Sequence, residues 1–160
     1  ADGQVIKIAF SDGMRFEIVP TFKSIYGGYK YPNTNCGGKW ESTNPKAEQE
    51  AMAEKNRSSN GLLYDTCRHI RYIRDNYFSS YHLSGIVIDS FVYEAIGNWR
   101  WLNSGESSSS PSGTYEQVLL NYYNQHGICY GVSINAPGSN DTVSTASSYE
   151  CLGKVLRYMI

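Results

Sequence analysis

The chain has 160 residues, 41% of them hydrophobic, and a formal net charge of −1, which suits one domain with an ordinary core. With no strongly basic stretch, strong binding of long nucleic acid is not expected, although a local basic pocket for a nucleotide fits. No run of 18 or more apolar residues and no basic-then-apolar leader occurs, so no membrane partner is expected.

The first 22 residues read as a hairpin. Ile6, Ile8 and Phe10 alternate with polar or small residues, "SDG" at 11–13 supplies turn chemistry, and Met14 to Val19 returns with period two. Glu17 then points away from Met14, Phe16 and Ile18. A lone two-stranded hairpin is marginal in water and its edges invite pairing. Further strands are therefore expected, from a missing N-terminal segment or a companion chain.

Residues 23 to 42, "KSIYGGYKYPNTNCGGKWES", are rich in Gly, Tyr and Asn, a composition that predicts a long loop with Trp40 anchoring its end. A helix is expected from "STNPKAEQEAMAEKN", with Asn44 as N-cap, Pro45 in the first helical position and a break at "RSSNG", 57–61. In the next helix Leu63, Cys67, Ile70, Ile73 and Tyr77 form one apolar stripe, and Arg68, Arg71 and Arg74 lie off it in a basic row.

A central helix follows with Ile88, Phe91, Val92, Ala95, Ile96 and Trp99 on a wide apolar face. Residues 103–113, "NSGESSSSPSG", read as a flexible loop. Thr114 can cap a short helix with Val118, Leu119 and Tyr122 inward. "GICYGVSINAPGSND" is extended and turn-like, and a last helix carries Leu152, Val155, Leu156 and Met159. A hairpin followed mostly by helices indicates α+β.

Four cysteines, Cys36, Cys67, Cys129 and Cys151, form no CxxC and no zinc-type cluster. They read as reduced thiols, with Cys67 and Cys151 at apolar helix positions, and a cytoplasmic location is the default. The 14 tyrosines are read mainly as core-edge residues. His69, His82 and His126 have no metal spacing.

The pieces "FEIVPTF", "GGKWESTNPKAEQEAMAEKN", "CRHIRYIRDN" and "HLSGIVIDSF", in this order, resemble the bacterial cGAS/DncV-like nucleotidyltransferases, the CD-NTase or SMODS family. The resemblance runs from about residue 5 to 160. It implies a partial polymerase-β-like nucleotidyltransferase fold, with the N-terminal hairpin packed on a mostly helical C-terminal domain. Residues 1–22 would be a remnant of the catalytic palm sheet, and 23–160 a helical nucleotide-binding spine domain with the flexible loop 103–113.

The family makes cyclic di- or trinucleotides from NTPs in anti-phage (CBASS) signalling. It holds Mg²⁺ (or Mn²⁺) with three carboxylates. Glu17 in "FEIVP" matches the third of these, where Asp is usual, and is the expected catalytic and metal-binding residue. Two hard cations need several oxygen ligands. The Gly-Ser and D-x-D segment carrying the first two carboxylates has no counterpart: the single Gly-Ser is Gly138-Ser139, and no D-x-D occurs. The chain alone is therefore expected to be inactive.

For nucleotide binding the resemblance points to Arg71, at a usual Lys position facing phosphates, and to Ser84, at a position touching donor phosphate or ribose. The residue after that serine is often aromatic in the family; here it is Gly85, and Tyr81 is the substitute for stacking on the base. Thr43 and Asn44 could line the acceptor pocket. Each has a plainer reading: a solvated helix face for Arg71, an N-cap for Ser84, capping for Thr43 and Asn44. Asp89 and Glu94 either orient Arg71 or another base-reading group, or are exposed.

The alternative to an enzyme portion is a non-catalytic nucleotide-binding or protein-interaction module on the same scaffold. A further reading, without the resemblance, is a carbohydrate- or peptide-binding loop at 26–40.

Overall fold

The computed structural model describes residues 5–34, 38–108, 113–126 and 132–160. It divides into two compact units, Ala1–Ala47 and Glu48–Ile160. The fold is α+β, built among the described residues from five helices and seven short strands.

The first unit opens with the expected hairpin. Strands β1 (Ile6–Ala9) and β2 (Arg15–Ile18) pair antiparallel, with Ile6 opposite Ile18, Lys7 opposite Glu17 and Ile8 opposite Phe16. Phe10 N–H donates to the Met14 carbonyl at 2.9 Å, and the Asp12 carboxylate accepts from Met14 N–H at 3.0 Å. Gly13 takes a positive φ of 89°, which a residue with a Cβ rarely adopts. Paired residues share a face, so Ile6, Ile8, Phe16 and Ile18 line one side. All four are exposed.

The long loop expected at 23–42 is instead a three-stranded meander. Strands β3 (Phe22–Lys23), β4 (Tyr29–Asn33) and β5 (Lys39–Thr43) form an antiparallel sheet in that order. The glycines that suggested a loop sit between strands. Ser24 N–H reaches the Gly28 carbonyl at 3.1 Å. A Cβ on Gly28 would come within 2.7 Å of the Thr43 carbonyl oxygen. Pro32 is tolerated in the middle strand because β3 pairs only with Tyr29 and Lys30, leaving Pro32 a neighbour, Trp40, on one side alone. Trp40 is exposed, its ring edge-on to Phe22 at 5.4 Å.

Helix α1 (Pro45–Ser58) starts where expected and runs one residue past Arg57 before Asn60 and Gly61 turn the chain with positive φ. The core of the second unit lies among α2 (Leu62–Tyr77), α3 (Gly85–Ala95), α4 (Tyr115–Gln125) and α5 (Tyr149–Tyr158). Leu63, Cys67, Ile70 and Ile73 bury the α2 stripe against Val87, Ile88, Phe91 and Val92 of α3 and Leu152, Val155 and Leu156 of α5. Tyr77, the expected last member of that stripe, is exposed and stacks near Tyr158 instead. In α4 Tyr123, rather than Tyr122, is the buried tyrosine.

Thr114 and Gln117 form a full capping box at the start of α4. Strands β6 (Ser133–Asn135) and β7 (Thr142–Ser144) make a small hairpin. Of the expected flexible loop, residues 109–112 lie outside the described residues. Its first part is held by Glu106, which accepts from the Asn103 backbone at 2.9 Å and pairs with Arg100 at 3.0 Å. Residues 127–131 with Cys129, and Cys36, also lie outside. Cys67 and Cys151 are buried free thiols. No helix among the described residues is long and apolar enough to cross a membrane.

Candidate functional site

In the first unit Glu17 faces its cross-strand neighbour. Lys7 Nζ is 3.1 Å from Glu17 Oε1, with both side chains about 60% exposed (61% and 59%). This charge pair occupies the face opposite the apolar residues. Among the described residues no group of three or more His, Cys, Asp or Glu could hold a metal ion. The donors described in this chain therefore do not fit a divalent-metal pair.

Asn44 acts as the N-cap of α1: its Oδ1 accepts from Ala47 N–H at 3.3 Å. Thr43 ends β5 opposite Tyr29. The same sheet carries a carboxylate that sequence reading passed over. Glu41 accepts from Tyr31 Oη at 2.6 Å and Asn33 Nδ2 at 2.9 Å, and Lys39 Nζ lies 2.9 Å away. The Tyr31 hydroxyl foremost, then Lys39 and Asn33, hold its pKa down at about 2. Only the strand register brings these four side chains together, so linear spacing gave no signal.

The second unit brings Arg71 and the Ser84–Gly85 step together. Arg71 is on α2, half-buried with 32% of its side chain exposed. Its Nη2 lies 2.8 Å from each oxygen of Asp89 on α3 and 3.4 Å from the Gly85 carbonyl oxygen. Burial works against the Arg71 charge, and the Asp89 carboxylate more than offsets it, so the guanidinium pKa is raised. The ambiguity over Asp89 is resolved in favour of contact with Arg71. The neighbours in the basic row differ: Arg68 pairs with Asp65 at 2.6 Å, and Arg74 donates to Asp75 and, at 2.9 Å, to the Leu83 carbonyl before α3.

Ser84 is the N-cap of α3 by position, with extended φ, ψ of −73° and 150°, yet its side chain makes no capping bond. Its backbone N–H donates to Ser148 Oγ at 3.1 Å. Among the described residues the hydroxyl thus makes no capping bond at the first turn of a helix, where backbone N–H groups lack intrahelical partners. Helix dipole and orphan donors together favour an anion there. At Gly85 an added Cβ would sit in van der Waals contact with Arg71 Nη2, at 3.5 Å.

Tyr81, in the segment between α2 and α3, has the Lys154 ammonium 4.7 Å from its ring centre and Phe78 edge-on at 6.5 Å. The lysine was not foreseen, because nothing in the spacing links residue 154 to residue 81. Glu17, Thr43 and Asn44 thus belong to one compact unit, and Arg71, Ser84 and Tyr81 to the other.

Residues 1–56 match the family model described as Second Messenger Oligonucleotide or Dinucleotide Synthetase domain (SMODS). A probable cyclic nucleotide synthase from Bacillus cereus (strain VD146) is 28% identical over 156 residues, covering 87% of this chain and 46% of its own length. The chain thus spans about half the length of that relative. Among solved structures, the CdnE cyclic dinucleotide synthase of Elizabethkingia meningoseptica, with GTP and Apcpp, superposes with a TM-score of 0.57 at 15% identity. That match covers 98% of this chain and 60% of CdnE. The likeness gives the fold alone, a polymerase-β-like one.

Proposed function

We propose a function from a family identity: the SMODS match, the Bacillus relative and the CdnE-like fold support a CD-NTase, cGAS/DncV-like identity for this chain. In this reading the chain is a portion of a nucleotidyltransferase that joins NTPs into cyclic oligonucleotide second messengers for anti-phage signalling. It works in the cytoplasm. Residues 1–22 belong to the catalytic palm sheet, and 23–160 to the nucleotide-binding part.

The observation that carries the reading is the Arg71 guanidinium at the Gly85 carbonyl in the first turn of α3, the turn that Ser84 precedes as N-cap without a side-chain capping bond. Cation, hydroxyl and helix N-terminus are three donors to phosphate. CdnE was solved with GTP and Apcpp, and nucleoside triphosphates are the ligands proposed here. Thr43 and Asn44 of the first unit are assigned to the acceptor nucleotide, and Tyr81 of the second to a base, on the family resemblance. Glu17 contributes one carboxylate to Mg²⁺ or Mn²⁺ binding, and the others come from outside the described residues. The chain alone is then a binding-competent but inactive piece.

Calorimetric titration of the 160-residue chain with ATP and GTP tests the binding half, and the same chain assayed with a supplied catalytic segment, NTPs and Mg²⁺ tests the chemistry. Binding lost in Arg71→Ala, and cyclic product from the completed enzyme, are expected. No nucleotide binding under any condition overturns the reading. The Lys7–Glu17 pair favours a second reading, a non-catalytic nucleotide-binding or interaction module. Binding that persists while the completed enzyme gives no product would select it.

A further inference from the structure

The contact between Arg71 and Asp89 is one-sided. A guanidinium has five N–H donors, and a carboxylate that serves only to neutralise it commonly takes two nitrogens in a fork. Here both Asp89 oxygens and the Gly85 carbonyl converge on Nη2 alone. Nε and Nη1 meet no oxygen acceptor among the described residues, and the weakly accepting Cys67 sulfur is the other group that interacts with the guanidinium. The pair is neither deeply buried nor free: 32% of the Arg71 side chain and 27% of the Asp89 side chain are exposed.

Placement adds a second argument. The N-terminal end of a helix carries partial positive charge, so a cation is unwelcome there without a compensating anion. Arg71 nevertheless rests against the first turn of α3. Asp89 lies one turn further along the same helix and supplies the missing negative charge. The buried Cys67 thiol, one turn before Arg71 on α2, lies beside both charged groups. The carboxylate thus has a fixed seat from which to hold the arginine.

We propose that Asp89 is a positioning residue of the phosphate site. It grips Arg71 by Nη2 against the first turn of α3 and leaves Nε and Nη1 to donate to a nucleotide phosphate. The inference rests on the reading of Arg71 and Ser84 as phosphate donors. Removing the Asp89 charge makes the site more positive, which by charge alone tightens an anion. A positioning role has the opposite effect, because the untethered arginine leaves the helix end. The sign of the change therefore separates the two.

The test is calorimetry on the 160-residue chain with inorganic tripolyphosphate and with ATP, at fixed ionic strength. Wild type, Asp89→Asn, Asp89→Glu, Arg71→Ala and the double variant Arg71→Ala/Asp89→Asn are compared. Arg71→Ala and Asp89→Asn should each weaken both ligands about tenfold, the scale of one charge-assisted hydrogen bond. The double variant should be no weaker than Arg71→Ala, since Asp89 acts only through Arg71.

If Asp89→Asn binds as tightly as wild type or tighter while Arg71→Ala is weakened, the positioning role is overturned and the phosphate-site reading stands. If the two losses simply add, Asp89 does not act through Arg71, and the proposal fails. If Arg71→Ala is unaffected, or wild type binds neither ligand, the phosphate-site reading falls and the proposal with it. Should Asp89→Asn not fold, Asp89→Glu keeps the charge but shifts the grip by one methylene. It is expected to weaken binding severalfold, and wild-type affinity in that variant overturns the proposal.

Discussion

The Lys7 ammonium sits 3.1 Å from the Glu17 carboxylate, directly across the β1–β2 ladder, with both side chains more than half exposed. A surface pair of this kind contributes at most about 1 kcal/mol to stability. Glu17→Gln should therefore leave the urea midpoint of the isolated chain nearly unchanged. In the completed enzyme the same change should abolish cyclic-product formation, read by chromatography of the reaction mixture. Retained turnover would overturn the proposed metal-binding role of Glu17, leaving it the ordinary strand pair it makes with Lys7.

Burial pushes the Cys67 thiol up to about 12, with the Asp89 charge adding to it, and burial also raises Cys151. A thiol reacts as its thiolate. Neither residue should be alkylated by iodoacetamide at pH 8 in the folded chain, and both should be modified after unfolding in urea. Peptide mass mapping of the alkylated sites distinguishes the two states. Rapid native labelling of Cys67 would contradict its packing between α2 and α3.

Gly153 of α5 packs against Tyr123 of α4. A Cβ there would lie 2.7 Å from Tyr123 Oη and 2.9 Å from its Cζ. The ring cannot swing away cheaply, because it is buried against Phe91 and its hydroxyl donates to the Tyr149 carbonyl at 3.0 Å. Overpacking costs roughly 1–3 kcal/mol, while Gly to Ala inside a helix returns about 1 kcal/mol. Gly153→Ala is expected to lose about 1 kcal/mol net, measured by urea denaturation. A stabilised variant would show that the two helices can separate without cost.

Glu41 titrates at about 2 when folded, against 4.5 ordinarily. A depressed folded value means the stabilising interactions are fully present above the ordinary value and are lost as pH falls from about 4.5 through about 2. An NMR titration of the Glu41 carboxyl should give a midpoint near the low value. Tyr31→Phe, which removes the largest cause, should move that midpoint upward. The Glu41 side chain is partly exposed, at 29%, so solvent screening should keep the accompanying loss of stability small. An unchanged midpoint in Tyr31→Phe would mean the hydrogen bond is not formed in solution.

The hairpin and the helical core were legible because their apolar residues repeat at two or at three and four. Ile6, Ile8, Phe16 and Ile18 marked the first pattern, and Leu63, Cys67, Ile70 and Ile73 the second. The stripe overran at Tyr77 because periodicity does not record where packing partners stop. The meander was hidden by its own turns: Gly27 and Gly28 signal a break, and the strands on either side carry Tyr, Lys and Pro rather than an apolar alternation. Within the site, Arg71 and Ser84 were singled out by resemblance, whereas their proximity depends on the α2–α3 pairing. Lys154 on Tyr81 and Tyr31 on Glu41 are tertiary or cross-strand contacts with no linear trace.

The uncovered face of the first hairpin will govern how the material behaves in the tube. Two strand edges with no partner strand among the described residues, beside a row of exposed Ile and Phe side chains, are a template for pairing with another copy. Lys7, Arg15 and Glu17 charge the opposite face, where Lys7 and Glu17 neutralise one another and Arg15 is left as the net charge; its repulsion of the same residue in another copy weakens as salt is added. Concentrated stocks should therefore turn cloudy with rising ionic strength, through residues 6–18, while the helical part is still native. Shelf life, rather than melting temperature, will set the working concentration.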